Sequence, residues 1–338
     1  MTREEAAREL TIEYQRQREA DERALEMRRQ EAEARDPRIG ELSDGGASLL
    51  RQAARTLLTR PDEAVEAMKT ARKRAESMQS ELKARLAAAG LPENYLEMQY
   101  RCPICRDTGF IADPIQRHCE CFIKRLNQKM YEGAGLTGRT EQSFEAFDEQ
   151  FVPDTPVEGT GKTQREIACL ARDRCLRYAA RYPDTPRPGL MLMGNSGLGK
   201  SFLLNCVARR LIERGFSPVK LTAYRLFEVM RGAGFGDEQK AREFDRLMGA
   251  EILLIDDLGT EPMVRNITVE YLFSLINERT GGGMHTVVAT NLSFEDLKNR
   301  YTERIASRLL DKTGFEVVGL AGEDLRLIGR RRSCECQG

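Results

Sequence analysis

Residues 189–201 read Gly-Leu-Met-Leu-Met-Gly-Asn-Ser-Gly-Leu-Gly-Lys-Ser. The first five form an apolar strand pattern, the next eight fit G-x-x-x-x-G-K-[ST], and an amphipathic helix pattern follows over 202–214. Glycines at these positions let backbone N–H groups turn inward around phosphate oxygens at a helix N-terminus. The order strand, loop, helix therefore predicts a phosphate-binding loop made of Gly194, Asn195, Ser196, Gly197, Leu198, Gly199, Lys200 and Ser201.

The roles of the last two loop residues follow from their chemistry. Lys200 is expected to bridge the β- and γ-phosphates of ATP, and the Ser201 hydroxyl is expected to bind Mg²⁺. About fifty residues later, the apolar run that begins at Glu251 ends in Asp256 and Asp257. Unpaired buried charge is costly, so we interpret these acids as functional: Asp256 binds Mg²⁺, and Asp257 orients and activates the attacking water.

Short apolar segments alternate with helical patterns beyond residue 163, which predicts a parallel five-stranded α/β sheet. The candidate strands are Leu190–Met193, Val219–Thr222, Ile252–Ile255, Thr286–Ala289 and Phe315–Val318. One of them is followed by Asn291, at the sheet edge where ligands gather in such folds. We expect Asn291 to hydrogen-bond the γ-phosphate or the water, although Asn291 alone is more typical of an ordinary turn or of a helix cap before Ser293.

The composition excludes several classes of protein. Of 338 residues, 41% are apolar and 31% charged, so a buried core is possible and the chain is not disordered as a whole. No apolar run approaches the ~20 residues that span a bilayer, and the charged N-terminus does not resemble a secretory signal. We therefore expect a soluble, cytoplasmic protein. Basic and acidic residues balance at 53 each, so net charge does not indicate a nucleic-acid partner.

The N-terminal region is rich in Arg, Glu, Ala and Leu. Residues 3–35 lack Gly and Pro and predict one long helix, 36–46 predict a loop, and 49–86 predict a second helical zone interrupted at Thr59–Asp62. Acidic and basic residues alternate along the first helix. Two interpretations stay open: helices docked as a solvated bundle, or a helical arm that binds a partner.

Four of the nine cysteines are clustered between residues 102 and 121. Cys102 and Cys105 form C-x2-C, and Cys119 and Cys121 form C-x-C, a spacing of soft ligands that suits tetrahedral Zn²⁺. His118 is an alternative ligand to either of the last two cysteines, and unpaired thiols or an iron–sulfur cluster are the competing interpretations. Cys334 and Cys336 near the C-terminus are interpreted as part of a flexible end.

Together, the phosphate loop, the Asp-Asp strand end, the Thr-Asn strand end and the run Arg-Tyr-Thr-Glu-Arg-Ile-Ala-Ser-Arg-Leu (residues 300–309) resemble the AAA+ ATPases, specifically their DnaC/DnaI-like branch. The resemblance covers roughly residues 95 to 330. It implies that Arg308, with Arg304 as the alternative, is an arginine finger for a neighbouring subunit's nucleotide. It also implies that Arg326 is a sensor-2 arginine that contacts the nucleotide, and that the helical lid is vestigial.

The cysteine region shares the run Tyr-x-Cys-x-x-Cys-x-Asp-Thr-Gly with the zinc-binding part of DnaI-like loaders. The expected division is a helical region (1–97) that binds a helicase, a zinc module (98–126), a linker (127–162) and an AAA+ ATPase domain (163–338).

The resemblance implies an ATP-dependent loader of a hexameric replicative helicase onto single-stranded DNA, self-associating through its AAA+ domain. The alternatives are an IstB-like transposition helper acting on duplex DNA, and a non-hydrolysing zinc adaptor with a nucleotide switch. Lys220, Arg225 and Arg231 are the candidate contacts to DNA phosphates, although nearby acids offset their charge.

Overall fold

The computed structural model describes residues 2–45, 48–49, 61–112, 115–136, 141–264 and 267–328. The chain divides into two compact units, one of Arg8–Ile123 and one of Met1–Ala7 with Lys124–Gly338. The predicted helical region and most of the predicted zinc module thus share the first unit.

Two long helices dominate the Arg8–Ile123 unit, which we call the N-terminal unit. Helix α1 spans Arg3–Arg35, as predicted, and α2 spans Pro61–Ala88. A small apolar cluster lies at the ends of these helices and consists of Ala32, Ile39, Leu86 and Leu91. Two three-residue strands, β1 (Phe110–Ala112) and β2 (Gln116–His118), pair antiparallel, and α3 (Glu120–Gly133) begins directly after them.

The predicted loop over 36–46 is wrong for most of its length, because residues 37–45 are helical. Proline at the first position of a helix loses no hydrogen bond, so Pro37 begins this helix rather than preventing it. The predictions for Thr59, Cys334 and Cys336 fall outside the described residues.

The second unit, which we call the nucleotide unit, contains the parallel sheet. Its hairpin is β3 (Pro156–Val157) and β4 (Lys162–Thr163). The helices of this unit are α4 (Gln164–Arg181), α5 (Lys200–Glu213), α6 (Ala223–Gly234), α7 (Glu238–Met248), α8 (Thr268–Gly281), α9 (Phe294–Arg300) and α10 (Glu303–Leu309). The sheet strands are β5 (Gly189–Met193), β6 (Val219–Thr222), β7 (Ile252–Leu258), β8 (His285–Thr290) and β9 (Phe315–Gly319).

All five predicted strands are confirmed, and they form a sheet of order β6-β7-β8-β5-β9 in which each pair is parallel. Every residue of β5 is buried. Because all strands run the same way, the loops after β5, β7 and β8 meet at one edge. The three polar segments singled out in the sequence lie at the carboxyl ends of these three strands, with Asp256 and Asp257 inside the last part of β7.

The helices hold this sheet through an apolar core and through one buried cation. The core packs Leu253, Ile255 and Val288 of the sheet against helical side chains such as Phe227 and Leu275. Among them lies Arg279, which is fully buried. Its guanidinium donates to the Thr286 hydroxyl and to the backbone carbonyls of Leu247, Met248, Ala250 and His285. Burial lowers the pKa of Arg279 to about 10.

The predicted linker, residues 127–162, belongs almost wholly to the nucleotide unit. It contains the end of α3, a 3₁₀ turn at Glu149–Phe151 and the β3–β4 hairpin. Thr163 then begins α4 with a capping box, in which its hydroxyl accepts from the Glu166 amide and the Glu166 carboxylate accepts from the Thr163 amide. This segment therefore packs as part of the nucleotide unit.

No helix in the described ranges is both long enough and apolar enough to cross a membrane.

Candidate nucleotide site and cysteine cluster

The phosphate-binding loop joins β5 to α5 in a conformation that only glycine permits at two positions. Gly194 has φ 147° and Gly197 has φ 79°. A β-carbon on Gly194 would overlap the Leu320 carbonyl oxygen, and one on Gly197 would overlap the Asp324 carboxylate. The loop is therefore closely packed from behind, with its front left for a ligand.

Lys200 begins α5 and is 5% exposed. Its ammonium group donates to the carbonyl oxygens of Gly194 (2.7 Å) and Asn195 (2.5 Å), so it spans the mouth of the loop. Burial lowers the pKa of Lys200, and the carboxylates of Asp257 and Asp256 oppose that shift. A cation held at this place can move onto a phosphate without a large rearrangement of the backbone.

Ser201 and Asp256 lie together, as the sequence predicts. The Ser201 hydroxyl donates to Asp256 Oδ1 at 2.9 Å, and Asp256 is 3% exposed. A hydroxyl and a carboxylate are hard oxygen donors of the type that Mg²⁺ prefers. The glycine cradle, the lysine and this donor pair fit a magnesium–nucleotide complex.

Asp257 faces the same cavity as Asp256 because β7 contains a bulge. Ile255 pairs with Val288 and Leu258 with Thr290, so three steps on β7 match two on β8. Asp257 has φ 56°, in the left-handed region. In a regular strand, consecutive side chains point to opposite faces, whereas both of these acids line one cavity.

The electrostatic setting of Asp257 suits a proton acceptor. Burial raises the pKa of its carboxyl group, and the adjacent Asp256 carboxylate raises it further. The cations Lys200, Lys220 and Arg326 act in the opposite direction. A carboxylate with a raised pKa is a better general base than an ordinary surface aspartate.

The loops enclose a cavity of about 1000 Å³. Asn291 lines it together with both acids, in the position expected for it. Phe147, Phe151, Val152 and Ala168 line it as well, and sequence reasoning missed them. The sequence does show phenylalanines between turn-forming residues in the segment 127–162, but that segment was interpreted as a linker. These apolar residues suit the base of a nucleotide.

Arg326 reaches the phosphate loop from beyond β9. Its guanidinium donates to Ser196 Oγ at 2.5 Å and lies 3.3 Å from Asp324 Oδ1. The Leu325 amide donates to the Gly197 carbonyl, which fixes this segment against the loop. Arg326 is therefore placed to contact a nucleotide bound in its own subunit.

Arg308 is not among the residues that line the cavity, within the part of the chain that the structure describes. It lies on α10, where its Nε donates to Asn277 Oδ1 at 2.7 Å and its guanidinium stacks over the Phe273 ring at 4.6 Å. Arg304, one turn earlier, is exposed. Arg308 is thus held in a defined orientation by Asn277 and Phe273, apart from the residues described as lining the cavity.

The structure contradicts the interpretation of Lys220 as a DNA contact. Its side chain is 6% exposed, lines the cavity and lies 3.1 Å from Asp256 Oδ2. Arg225 is engaged with Glu228 and Glu243, and Arg231 stacks over Phe227. Lys220 is on the strand next to β7, and proximity across strands cannot be read from the chain until the sheet order is known.

The cysteine cluster, in the N-terminal unit, consists of Cys102, Cys105, Cys119 and Cys121, whose sulfurs all lie within 4.8 Å of one another. The Cys102 and Cys119 sulfurs are 3.8 Å apart, and those of Cys105 and Cys121 are 3.4 Å apart. Zinc–thiolate bonds of about 2.3 Å in a tetrahedron require sulfurs about 3.8 Å apart, so this donor set fits Zn²⁺. A hydrogen bond from the Cys105 amide lowers the pKa of Cys102 to about 7.

Side chains around the cluster hold its shape. The Asp107 carboxylate, which is 3% exposed, accepts from the amides of Arg101 (2.7 Å) and Cys102 (2.9 Å). The Tyr14 hydroxyl donates to the Cys121 sulfur at 3.2 Å. His118 is outside the sulfur group, with its ring stacked on Phe122 at 4.2 Å. The geometry therefore favours four cysteines over the alternative that includes His118.

Comparison with known proteins gives matches to two kinds of relative. The profile of the IstB-like ATP binding protein family matches residues 159–333, just over half of the 338-residue chain. The replicative helicase loader DnaI of Bacillus subtilis is 25% identical over 164 residues, which cover 46% of this chain and 51% of that protein. The IS1162 putative ATP-binding protein of Pseudomonas fluorescens is 30% identical over 118 residues, covering 35% of this chain and 47% of that protein.

Among solved structures, the crystal structure of the DnaC helicase loader aligns with 55% of this chain and 100% of its own, with 18% identity and a TM-score of 0.43. The chain spans about half the length of each of the two relatives quoted above.

Proposed function

The chain belongs to the family of IstB-like ATP binding proteins, and from that premise we propose that it is an ATPase that loads a hexameric replicative helicase onto single-stranded DNA. The observation that carries the proposal is the presence, on one chain, of a cavity lined by the phosphate loop and by two adjacent acids, and of a four-cysteine cluster. The cluster lies outside the residues that the family profile matches.

The proposed hydrolysis uses residues that already surround the cavity. Lys200 would leave the Gly194 and Asn195 carbonyls for the β- and γ-phosphates, and Ser201 with Asp256 would hold magnesium. The metal ion neutralises charge that develops on the phosphates. Asp257 would accept the proton of the attacking water, with Asn291 orienting that water or the γ-phosphate.

Completion of the site is proposed to require a second copy of the chain. Arg308 is not among the described residues that line its own cavity and is held by Asn277 and Phe273, which suits a guanidinium presented to a neighbour. Turnover per subunit should therefore rise with protein concentration, and Arg308→Ala should remove this rise while nucleotide binding is kept. If turnover per subunit still rises with protein concentration in Arg308→Ala but no longer does so in Arg304→Ala, the arginine finger is Arg304.

The loader is favoured over a transposition helper because of the cysteine cluster, whose sequence resembles that of DnaI-like loaders. A transposition helper is the second candidate, since the family profile and the IS1162 protein support it equally through the nucleotide unit. The non-hydrolysing adaptor is disfavoured by Asp257, because the bulge in β7 brings its carboxylate into the cavity beside Asp256.

Two substitutions test the enzymatic part. Lys200→Ala should abolish nucleotide binding, whereas Asp257→Asn should keep binding and lose hydrolysis in a steady-state phosphate-release assay. Hydrolysis at the unsubstituted rate in both variants would contradict the site. A protein that binds ATP but never hydrolyses it, even with DNA and helicase, would support the adaptor.

The partner is tested by mixing the full chain with the replicative helicase of its own host, with and without ATP, in size exclusion coupled to light scattering. We expect a stable complex, and we expect it to be lost in Cys102→Ser/Cys105→Ser while Lys200→Ala still forms it. If no complex forms under any nucleotide condition, but duplex DNA is bound with ATP, the transposition helper is supported instead.

A further inference from the structure

Lys220 is a second lysine at the magnesium side of the nucleotide site. It lies on β6, whose Thr222 is in register with Asp256 of β7. Its ammonium group reaches Asp256 Oδ2 at 3.1 Å, and both side chains are almost fully buried, at 6% and 4% exposed. Burying an ammonium group costs free energy unless a charge compensates for it, so the pair needs an explanation.

The two oxygens of Asp256 are divided between the two halves of the site. Oδ1 accepts from the Ser201 hydroxyl at 2.9 Å, and Oδ2 faces Lys220. Lys220 therefore fixes the orientation of the carboxylate while leaving Ser201 and Oδ1 on the side of the phosphate loop. Lys220 lines the cavity itself, so its charge also acts on whatever the cavity holds.

Asp256 and Asp257 bring two adjacent negative charges to the cavity. Lys200, Lys220 and Arg326 line the same cavity as cations, and of these Lys220 is paired with Asp256 itself. Without Lys220, the adjacent carboxylates would repel an incoming polyphosphate more strongly unless a divalent cation came with it. With Lys220, the protein itself supplies part of the positive charge that a divalent cation would otherwise have to bring.

We propose that Lys220 is a resident counter-cation of the nucleotide site, which holds Asp256 in place and lets ATP or ADP bind with weak dependence on magnesium. This inference rests on the proposed ATPase site and adds a positioning residue to it. Lys220 acts through Asp256 and through its charge, and no contact with the reacting atoms is required of it.

The test measures the dissociation constant of a fluorescent ATP analogue in excess EDTA and in excess magnesium. For the unsubstituted chain, the ratio of the two constants should be small. In Lys220→Gln we expect that ratio to rise about tenfold, because one charge is lost at short range in a partly dehydrated site. Lys220→Arg keeps the charge and should stay within about threefold of the original ratio. An unchanged ratio in Lys220→Gln would overturn the proposal.

A second pair of variants covers the case in which Lys220→Gln does not fold. Asp256→Asn frees the charge of Lys220, so binding in EDTA should become tighter than in the unsubstituted chain. Asp256→Asn/Lys220→Gln should lose this gain, and equal affinity of the two variants in EDTA would contradict the inference. If the unsubstituted chain fails to bind the analogue even with magnesium, it is the proposed ATPase function that fails.

Discussion

The phosphate loop (residues 194–201) and the loop that carries the first two cysteines of the cluster (residues 101–109, the cysteine loop) both bend the backbone sharply, but different parts of the molecule support them. Both contain tight turns with left-handed residues, Gly194 and Gly197 in the first, Arg106 and Asp107 in the second. The phosphate loop extends from a wholly buried strand and rests on a continuous apolar core. The cysteine loop adjoins two three-residue strands, of which β2 is exposed throughout.

The difference indicates what each site needs in order to exist. Burial of the sheet holds the phosphate loop ready before a ligand arrives. The cysteine loop adjoins only short strands, and its shape depends on the sulfur group and on the hydrogen bonds that the Asp107 carboxylate accepts from the Arg101 and Cys102 amides. The first site is built by the fold, whereas we expect the second to be built by its metal.

The largest expected effect is therefore the loss of the cysteine site. Cys102→Ser/Cys105→Ser should lose about one equivalent of zinc and unfold the loop, since structural zinc supplies on the order of 10 kcal/mol of folding free energy. Metal analysis and hydrogen exchange would measure this. Cys169→Ser/Cys206→Ser, two cysteines outside the cluster, is the control and should keep the metal. A full equivalent of zinc in the first variant would reject these ligands.

The second effect tests whether the phosphate site is preformed. Asp257→Asn should lower kcat about a hundredfold or more while leaving nucleotide affinity within a few-fold, because it removes a proton acceptor and little else. Since burial raises the pKa of Asp257, the rate of the unsubstituted enzyme should fall on acidification above the ordinary aspartate pKa of about 4. The pH dependence of kcat checks this, and the acid limb should be absent from the residual rate of the variant.

A somewhat smaller effect is expected at Arg279, where the nucleotide unit departs from purely apolar packing. Arg279→Met should destabilise this unit by about 3 kcal/mol, because four backbone carbonyls in and around the core lose their guanidinium donor. Urea unfolding followed by circular dichroism measures the change. Arg177→Met on α4, where Arg177 is exposed, is the matched control with little expected change. If the Arg279 and Arg177 variants unfold with the same free energy, Arg279 does not stabilise the nucleotide unit as proposed.

The smallest effect concerns the hydrogen bonds of the cysteine loop. Asp107→Ala should destabilise the loop by about 1–2 kcal/mol and weaken zinc binding, because the Arg101 and Cys102 amides lose their acceptor. Asp107→Asn keeps one acceptor and tolerates the left-handed backbone, so it should recover part of the loss. Competition for zinc with a coloured chelator orders the three proteins, and identical affinities would contradict the comparison.

The sequence was informative wherever function depends on residues close together in the chain. The phosphate loop, the two acids near the end of β7 and the four cysteines are local patterns, and the structure brings each group together. The strands β5, β7 and β8 were predictable because a strand buried on both faces reads as a short apolar run.

What the sequence did not reveal depends on packing between distant segments. Lys220 meets Asp256 only because β6 lies beside β7 in the sheet. Phe147 and Phe151 line the cavity because the segment before α4 folds back onto the nucleotide unit, and a turn-rich stretch gives no sign of this. Arg279 looks like an ordinary helical arginine until its carbonyl partners are known.

Asp257 stands at a position where heat resistance and turnover make opposite demands. Its left-handed backbone costs about 1 kcal/mol, which glycine at the same position would largely avoid. A library of variants ranked only by melting temperature would therefore enrich glycine or asparagine at residue 257 and discard the carboxylate. Directed evolution of a more thermostable form of this chain therefore needs a screen for turnover at residue 257, because the most stable variants there will be among the least active.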